Sequence, residues 1–189
     1  MNKDKEIHER GFWLDSSENY HAFDVLLCDS LVRFFQKEEA TVIDVGCGPG
    51  RYTKSLKDNG LKCDGFDGNP NTPILSDGIC KVLDFSKVVD LGVKYDWVLS
   101  LEVGEHIPEE YEDVFISNSC DLSKEGIVLS WAVKDQPGRG HVNCRNNPYI
   151  KAKLASKGFK SDENIEKIFR NESIFPYFKN TIMVFRREY

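Results

Sequence analysis

Apolar residues recur along this chain with two periods, and the alternation between the periods predicts the architecture. From Ser17 to Lys37, residues Phe23, Leu26, Leu27, Leu31, Phe34 and Phe35 fall at helical spacing, and Ser16 stands where an N-cap belongs. A short β-rich run, Thr41-Val42-Ile43-Asp44-Val45, follows and ends in glycines. A helix is expected from Arg51 to Asp58, closed by Asn59-Gly60. Leu61 to Phe66 and Gly78 to Leu83 read as the second and third strands, and Tyr95 to Leu101 as a fourth. A helix from Pro108 to Asn118 leads into Gly126 to Val133, the most apolar strand and the expected centre of the sheet. Asn147-Pro148 opens a helix that ends at Lys157-Gly158, and Thr181 to Phe185 closes the chain as a strand. Strands that alternate with helices imply βαβ units and a mostly parallel sheet, an α/β fold. In such sheets ligands bind outside the carboxyl ends of the strands, so the chemistry is expected just after each strand.

The loop after the first strand is Asp44-Val45-Gly46-Cys47-Gly48-Pro49-Gly50. Its alternating glycines let the backbone turn sharply and leave room for a ligand to lie against it. The dinucleotide pattern GxGxxG needs a glycine where Arg51 stands, so the loop suits a ligand with no pyrophosphate rather than NAD. Alone, Gly46, Gly48 and Gly50 would also fit a plain strand–helix turn. Two acids at later strand ends tip the balance: Asp67, about 20 residues on, in Phe66-Asp67-Gly68-Asn69, and Asp84 in Leu83-Asp84-Phe85.

With these residues the chain resembles the class I S-adenosylmethionine (SAM)-dependent methyltransferases, whose first motif is similar to VIDVGCGPG. The resemblance runs from about Thr41 to the C-terminus. It implies a Rossmann-like, seven-stranded, mostly parallel sheet with helices on both faces and an antiparallel last strand. It further implies SAM contacts from Asp44, Gly46, Cys47, Gly48 and Gly50. Asp67, Gly68 and Asn69 would meet the ribose, Asp84 and Phe85 the adenine, and Leu101, Glu102 and Val103 the methionine part. Residues 1–40 are expected to be a helical segment covering the pocket of a domain spanning 41–189.

Glu102-Val103-Gly104-Glu105-His106 follows the fourth strand, and a helical turn there would put Glu102, Glu105 and His106 on one face. His141, in Gly140-His141-Val142-Asn143 beyond the fifth strand, is expected to join them. Two carboxylates and two imidazoles make a candidate site for a divalent cation: Mg²⁺, Mn²⁺ or Fe²⁺. The ExxEH…H pattern resembles two O-methyltransferase branches, one acting on small-RNA 3′ ends and one in the ubiquinone pathway, and implies metal-held acceptor oxygen. The alternative without metal is that Glu105 caps the following helix and His106 packs against the fifth-strand loop; either His106 or His141 could then still serve as general base.

Composition narrows the partners. Among 189 residues the net charge is −6, which argues against a surface built for duplex DNA or an anionic membrane. No apolar run approaches a membrane span, the N-terminus MNKDKEIHER is charged, and the six cysteines form no CxxC pair. A cytoplasmic enzyme with free buried thiols and a small-molecule acceptor is the expectation; an RNA acceptor and a non-catalytic SAM-binding module are the alternatives. Trp13, Tyr20 and His21 are candidates for the acceptor pocket, and Arg139 and Arg145 for an anionic acceptor. Ile174 to Phe178 reads as core or pocket wall, Trp97 and Trp131 as core, and His8 as solvated.

Overall fold

The computed structural model describes residues 7–14 and 21–189. Helix α1 (Val25–Lys37) precedes β1 (Thr41–Val45), α2 (Arg51–Asp58), β2 (Lys62–Asp67), α3 (Thr72–Leu75), β3 (Cys80–Val82) and β4 (Tyr95–Ser100). A 3₁₀ turn at Gly104–His106 and another at Glu109–Tyr111 lead to α4 (Glu112–Leu122) and β5 (Ser123–Ser130). Then come α5 (Asn147–Ala155), β6 (Phe159–Ser161), α6 (Glu163–Glu172), α7 (Phe178–Thr181) and β7 (Ile182–Arg187). All seven strands form one sheet in the order β3-β2-β1-β4-β5-β7-β6. The pairs among β1 to β5 are parallel, and β7 runs antiparallel to both β5 and β6. This is the Rossmann-like sheet expected from the sequence, with its last strand reversed.

Side-chain alternation sorts the core into two layers. Ile43, Val98, Ile127 and Leu129 face Phe115, Ile116, Ile150 and Leu154 of α4 and α5. Val42, Trp97, Val128 and Val184 face Leu27, Leu31, Phe35, Leu56 and Phe169 of α1, α2 and α6. Trp97 and Trp131 are fully buried. No helix among the described residues is long and apolar enough to cross a membrane.

Several elements differ from expectation. Residues 21–24 are not helical, and α1 starts at Val25 because Asp24 Oδ1 accepts the Leu27 N–H at 3.0 Å as its cap. Ser16, Ser17 and Tyr20 lie outside the described residues. Pro108 opens a 3₁₀ turn rather than α4. The middle strand is β4, and β5 beside it starts three residues before Gly126. There Gly126 is required by space: a Cβ would lie 2.4 Å from the Phe185 carbonyl oxygen. Strand β6 and helix α6 were not read from the sequence. β6 is too short to show a period, and α6 carries a mostly polar run, ENIEKIFRNE.

Candidate active site at the strand ends

The parallel strands β1 to β4 end on one edge of the sheet, and each passes into a turn that faces a common cavity. Beyond β1, the Gly46 and Cys47 N–H groups both donate to the Phe66 carbonyl, at 2.8 and 3.0 Å, pinning the glycine loop to β2. Gly46 is fixed by φ +76° and by Val103, whose methyl would lie 2.4 Å from an added Cβ. Beneath the loop Asp44 accepts the Thr53 hydroxyl at 2.7 Å, and burial pushes its carboxyl up to about 7. At the end of β2, Asp67 accepts the Gly48 N–H at 2.9 Å and the Asn69 N–H at 2.8 Å; desolvation raises its carboxyl. After β3, Asp84 Oδ1 accepts the Ser86 N–H at 3.0 Å, while Oδ2 faces Arg10 at 3.9 Å and Lys87 at 3.5 Å.

Residues 7–14 lie across these turns as a tight reversal, not a helix, with Ile7 bridged to Trp13. Phe12 covers Gly68, at 2.5 Å from where a Cβ would sit. Arg10 donates to Ser86 Oγ at 3.1 Å, and Asn71 holds the Leu14 carbonyl at 3.2 Å. Trp13 meets the His106 ring edge-on at 5.5 Å. His8, expected to be solvated, is half-buried and stacks on Phe12 at 4.2 Å.

The cavity measures about 260 Å³. Asp44, Gly46, Cys47, Gly48, Asp67, Gly68, Asn69, Asp84, Phe85, Leu101, Glu102 and Val103 all line it. Gly50 does not; it packs against Cys80 and Ser76 below the loop. His106, His141, Trp13, His21, Arg139, Tyr177 and Phe178 form the rest of the wall considered from sequence. Phe12, Arg51 and Tyr52 were missed. Arg51 and Tyr52 directly follow the glycine loop, which was a usable signal, whereas Phe12 carried none. Arg145 is not available to a ligand in the cavity, since it pairs with Glu109 at 2.7 Å and Glu112 at 2.8 Å.

Glu105, His106 and His141 converge: one ligating atom from each lies within 4.8 Å of the others. His106 Nδ1 lies 3.0 Å from the Gly140 carbonyl and His141 Nδ1 3.1 Å from the Gln136 carbonyl. A carbonyl only accepts, so both Nδ1 atoms carry the proton and both Nε2 atoms present a lone pair. Burial keeps both rings neutral, lowering His106 to about 4 and His141 in the same direction. Glu105 is fully buried, and neither of its carboxylate oxygens meets a hydrogen-bond donor among the described residues. His141 Nε2 is 4.0 Å from Glu105 Oε1. Burial, then the nearby Glu102 charge, pushes the Glu105 carboxyl well up. Glu102 sits beside the trio in a left-handed conformation, φ +55°, with Oε1 held by Ser130 at 2.9 Å and Thr181 at 3.4 Å. Two imidazole lone pairs and a buried glutamic acid that would give up its proton on metal binding are a donor set that fits a divalent cation.

The family model described as a methyltransferase domain matches residues 19–161, most of the chain. No curated protein matches it. Among solved structures, magnesium protoporphyrin IX methyltransferase from Synechocystis PCC 6803 with bound SAH superposes at a TM-score of 0.66 with 21% identity, covering 85% of this chain and 82% of that one. The CcbJ methyltransferase from Streptomyces caelestis superposes at 0.70 with 9% identity, covering 97% and 99%. A sugar N-methyltransferase from Streptoalloteichus sp ATCC 53650 gives 0.68 with 13% identity, covering 87% and 88%. At these identities the likeness is one of fold, and the family follows from the model match: the chain belongs to the methyltransferase-domain family, with the architecture of the class I SAM-dependent enzymes.

Proposed function

We propose that the chain methylates a hydroxyl oxygen of a small-molecule acceptor, using SAM as donor and a divalent cation held by Glu105, His106 and His141. The observation that carries this reading is the convergence of those three side chains, with His106 and His141 lining the cavity and the fully buried Glu105 within 4.8 Å of both. Glu102 is the fourth candidate ligand, through the oxygen that Ser130 and Thr181 do not use. The donor is assigned to the glycine-loop end. There Asp44, Gly46, Cys47 and Gly48 form the floor, with Gly50 shaping the turn below. Asp67, Gly68 and Asn69 take the ribose, Asp84 and Phe85 the adenine, and Leu101, Glu102 and Val103 the methionine part.

A cation at the trio would polarise the acceptor oxygen and lower its pKa. The protein's own contribution is alignment: backbone carbonyls lock both imidazole rings, and the cavity walls hold acceptor and methyl group in line. Residues 1–40 act in this reading as the cover of a domain formed by 41–189. The free cysteines fit a reducing, cytoplasmic setting. The acidic balance and the small-molecule substrates named for some structural neighbours favour a small acceptor over RNA.

The test is SAM turnover, read as S-adenosylhomocysteine, against pooled hydroxylated metabolites with and without EDTA. Chelator is expected to abolish turnover and spare SAM affinity, and Mn²⁺ to restore the rate. Full activity in EDTA, with a rate that falls only well below the ordinary imidazole range, toward about pH 4 for His106, would transfer the role to His106 or His141 as general base.

A further inference from the structure

The loop that carries His141 runs from β5 to α5 with no helix or strand of its own. What fixes it lies outside the cavity. Glu112, the first residue of α4, is 2% exposed. Its Oε2 accepts Asn143 Nδ2 at 3.0 Å and Arg145 Nε at 2.8 Å, and its Oε1 accepts the Tyr149 hydroxyl at 2.6 Å with Lys153 Nζ at 3.2 Å. Burial alone would raise this carboxyl, but the bonds from Tyr149, Arg145, Asn143 and Lys153 outweigh it and hold it down to about 2. The same stretch is tied on its other side. The Val142 and Asn143 N–H groups both donate to the Glu105 carbonyl at 2.9 Å, and Trp131 Nε1 donates to the Asn143 carbonyl at 2.7 Å.

Asn143 and Arg145 follow His141 by two and four positions, so the Glu112 carboxylate clamps the chain just beyond the imidazole. We infer that Glu112 is a positioning residue, which acts through Asn143 and Arg145 to set where His141 Nε2 stands relative to Glu105. Among the described residues, Glu112 does not line the cavity, and neither do its partners Asn143, Arg145, Tyr149 and Lys153. The inference rests on His141 acting at the proposed site, and it adds a residue that no motif marks.

The experiment compares Glu112→Gln with Glu166→Gln. Glu166 is an equally apt control: a carboxylate 6% exposed, paired with Lys151 at 3.0 Å and Arg170 at 3.0 Å on α6, away from His141. Histidine Cε1–H signals are recorded by NMR in each protein and assigned with single His→Asn variants. Glu112→Gln is expected to move the His141 signal and leave His8 in place, and to weaken Mn²⁺ binding and lower kcat by about tenfold or more, with SAM affinity unchanged. Glu166→Gln should lower the Tm without moving the His141 signal. An unmoved His141 signal in Glu112→Gln, or an equal shift in both variants, overturns the inference. If the wild-type protein binds no Mn²⁺, the cation reading fails, and the His141 signal still decides the role of Glu112. Should Glu112→Gln not fold, Asn143→Ala removes one arm of the clamp and carries the same expectation at smaller amplitude.

Discussion

At the scale of single residues, the two ends of the cavity can be separated by mutation. Asp67 stands at a strand end, and its carboxylate is already occupied by two backbone N–H groups that shape the glycine loop. Asp67→Ala is expected to weaken SAM binding by about 1.5–3 kcal/mol, the scale of hydrogen bonds to a charged group, while circular dichroism stays native. Unchanged affinity would put the ribose elsewhere. His141→Ala should do the reverse, lowering kcat by about 10²–10⁴-fold with SAM affinity intact by calorimetry. A matching loss of SAM affinity would show that the two ends are not independent. Glycine loop and acids were legible in the sequence because each requirement is local: a turn, then a carboxylate at a strand end. Glu112 was not legible. Its partners Asn143, Arg145, Tyr149 and Lys153 come more than thirty positions later, and nothing nearby in sequence marks it.

At the scale of elements, we propose that the reversal at residues 7–14 controls access to the cavity. It presses Phe12 onto Gly68 and Trp13 against His106, and leaves about 260 Å³, below the roughly 300–1,000 Å³ usual for ligand pockets. We propose that this segment lifts to admit the donor. The double variant Phe12→Ala, Trp13→Ala is expected to speed both SAM binding and release in stopped-flow fluorescence. Unaltered rate constants would mean that the segment is no barrier. Sequence pattern located the elements with a strong apolar signal, such as α1, which buries one face, and β1, a short apolar run buried on both. It failed for β6, whose three residues include a single large apolar side chain, Phe159. It failed for α6 because only Phe169 and the stem of Glu166 are buried from a charged helix, so the apolar stripe was too thin to see. The N-terminal expectation erred for a different reason. Apolar spacing continued back past Asp24, but the aspartate side chain closes the helix start by taking the Leu27 N–H.

For the whole molecule, ligand linkage and acid stability are the measurable consequences. SAM and S-adenosylhomocysteine should raise the Tm and NAD should not, since only a ligand bound to the native state shifts the unfolding equilibrium. The acid limb belongs partly to Glu112. Its folded pKa, about 2, lies below the ordinary 4.5, so its contribution is complete above about pH 4.5 and fades as pH falls toward 2. Glu112→Gln is accordingly expected to cost about 3 kcal/mol at pH 7 in urea titrations, and much less at pH 3. Equal losses at both pH values would contradict the ionised, hydrogen-bonded carboxylate.

The position of β7 bears on how the chain comes together during synthesis. Ile182–Arg187 is the last of the described strands in chain order, yet it fills the gap between β5 and β6, and among the described residues β6 pairs with no other strand. Until it emerges from the ribosome, the edge of β5 stays open, with Ile127, Val128 and Leu129 on a strand that any other extended chain could extend. Thr181, which reaches Glu102, arrives in the same late stretch, so the polypeptide can acquire its glycine loop and both histidines before the sheet beside them is sealed. A nascent chain stalled short of Ile182 therefore leaves that edge of β5 unpaired and open to pairing with another chain.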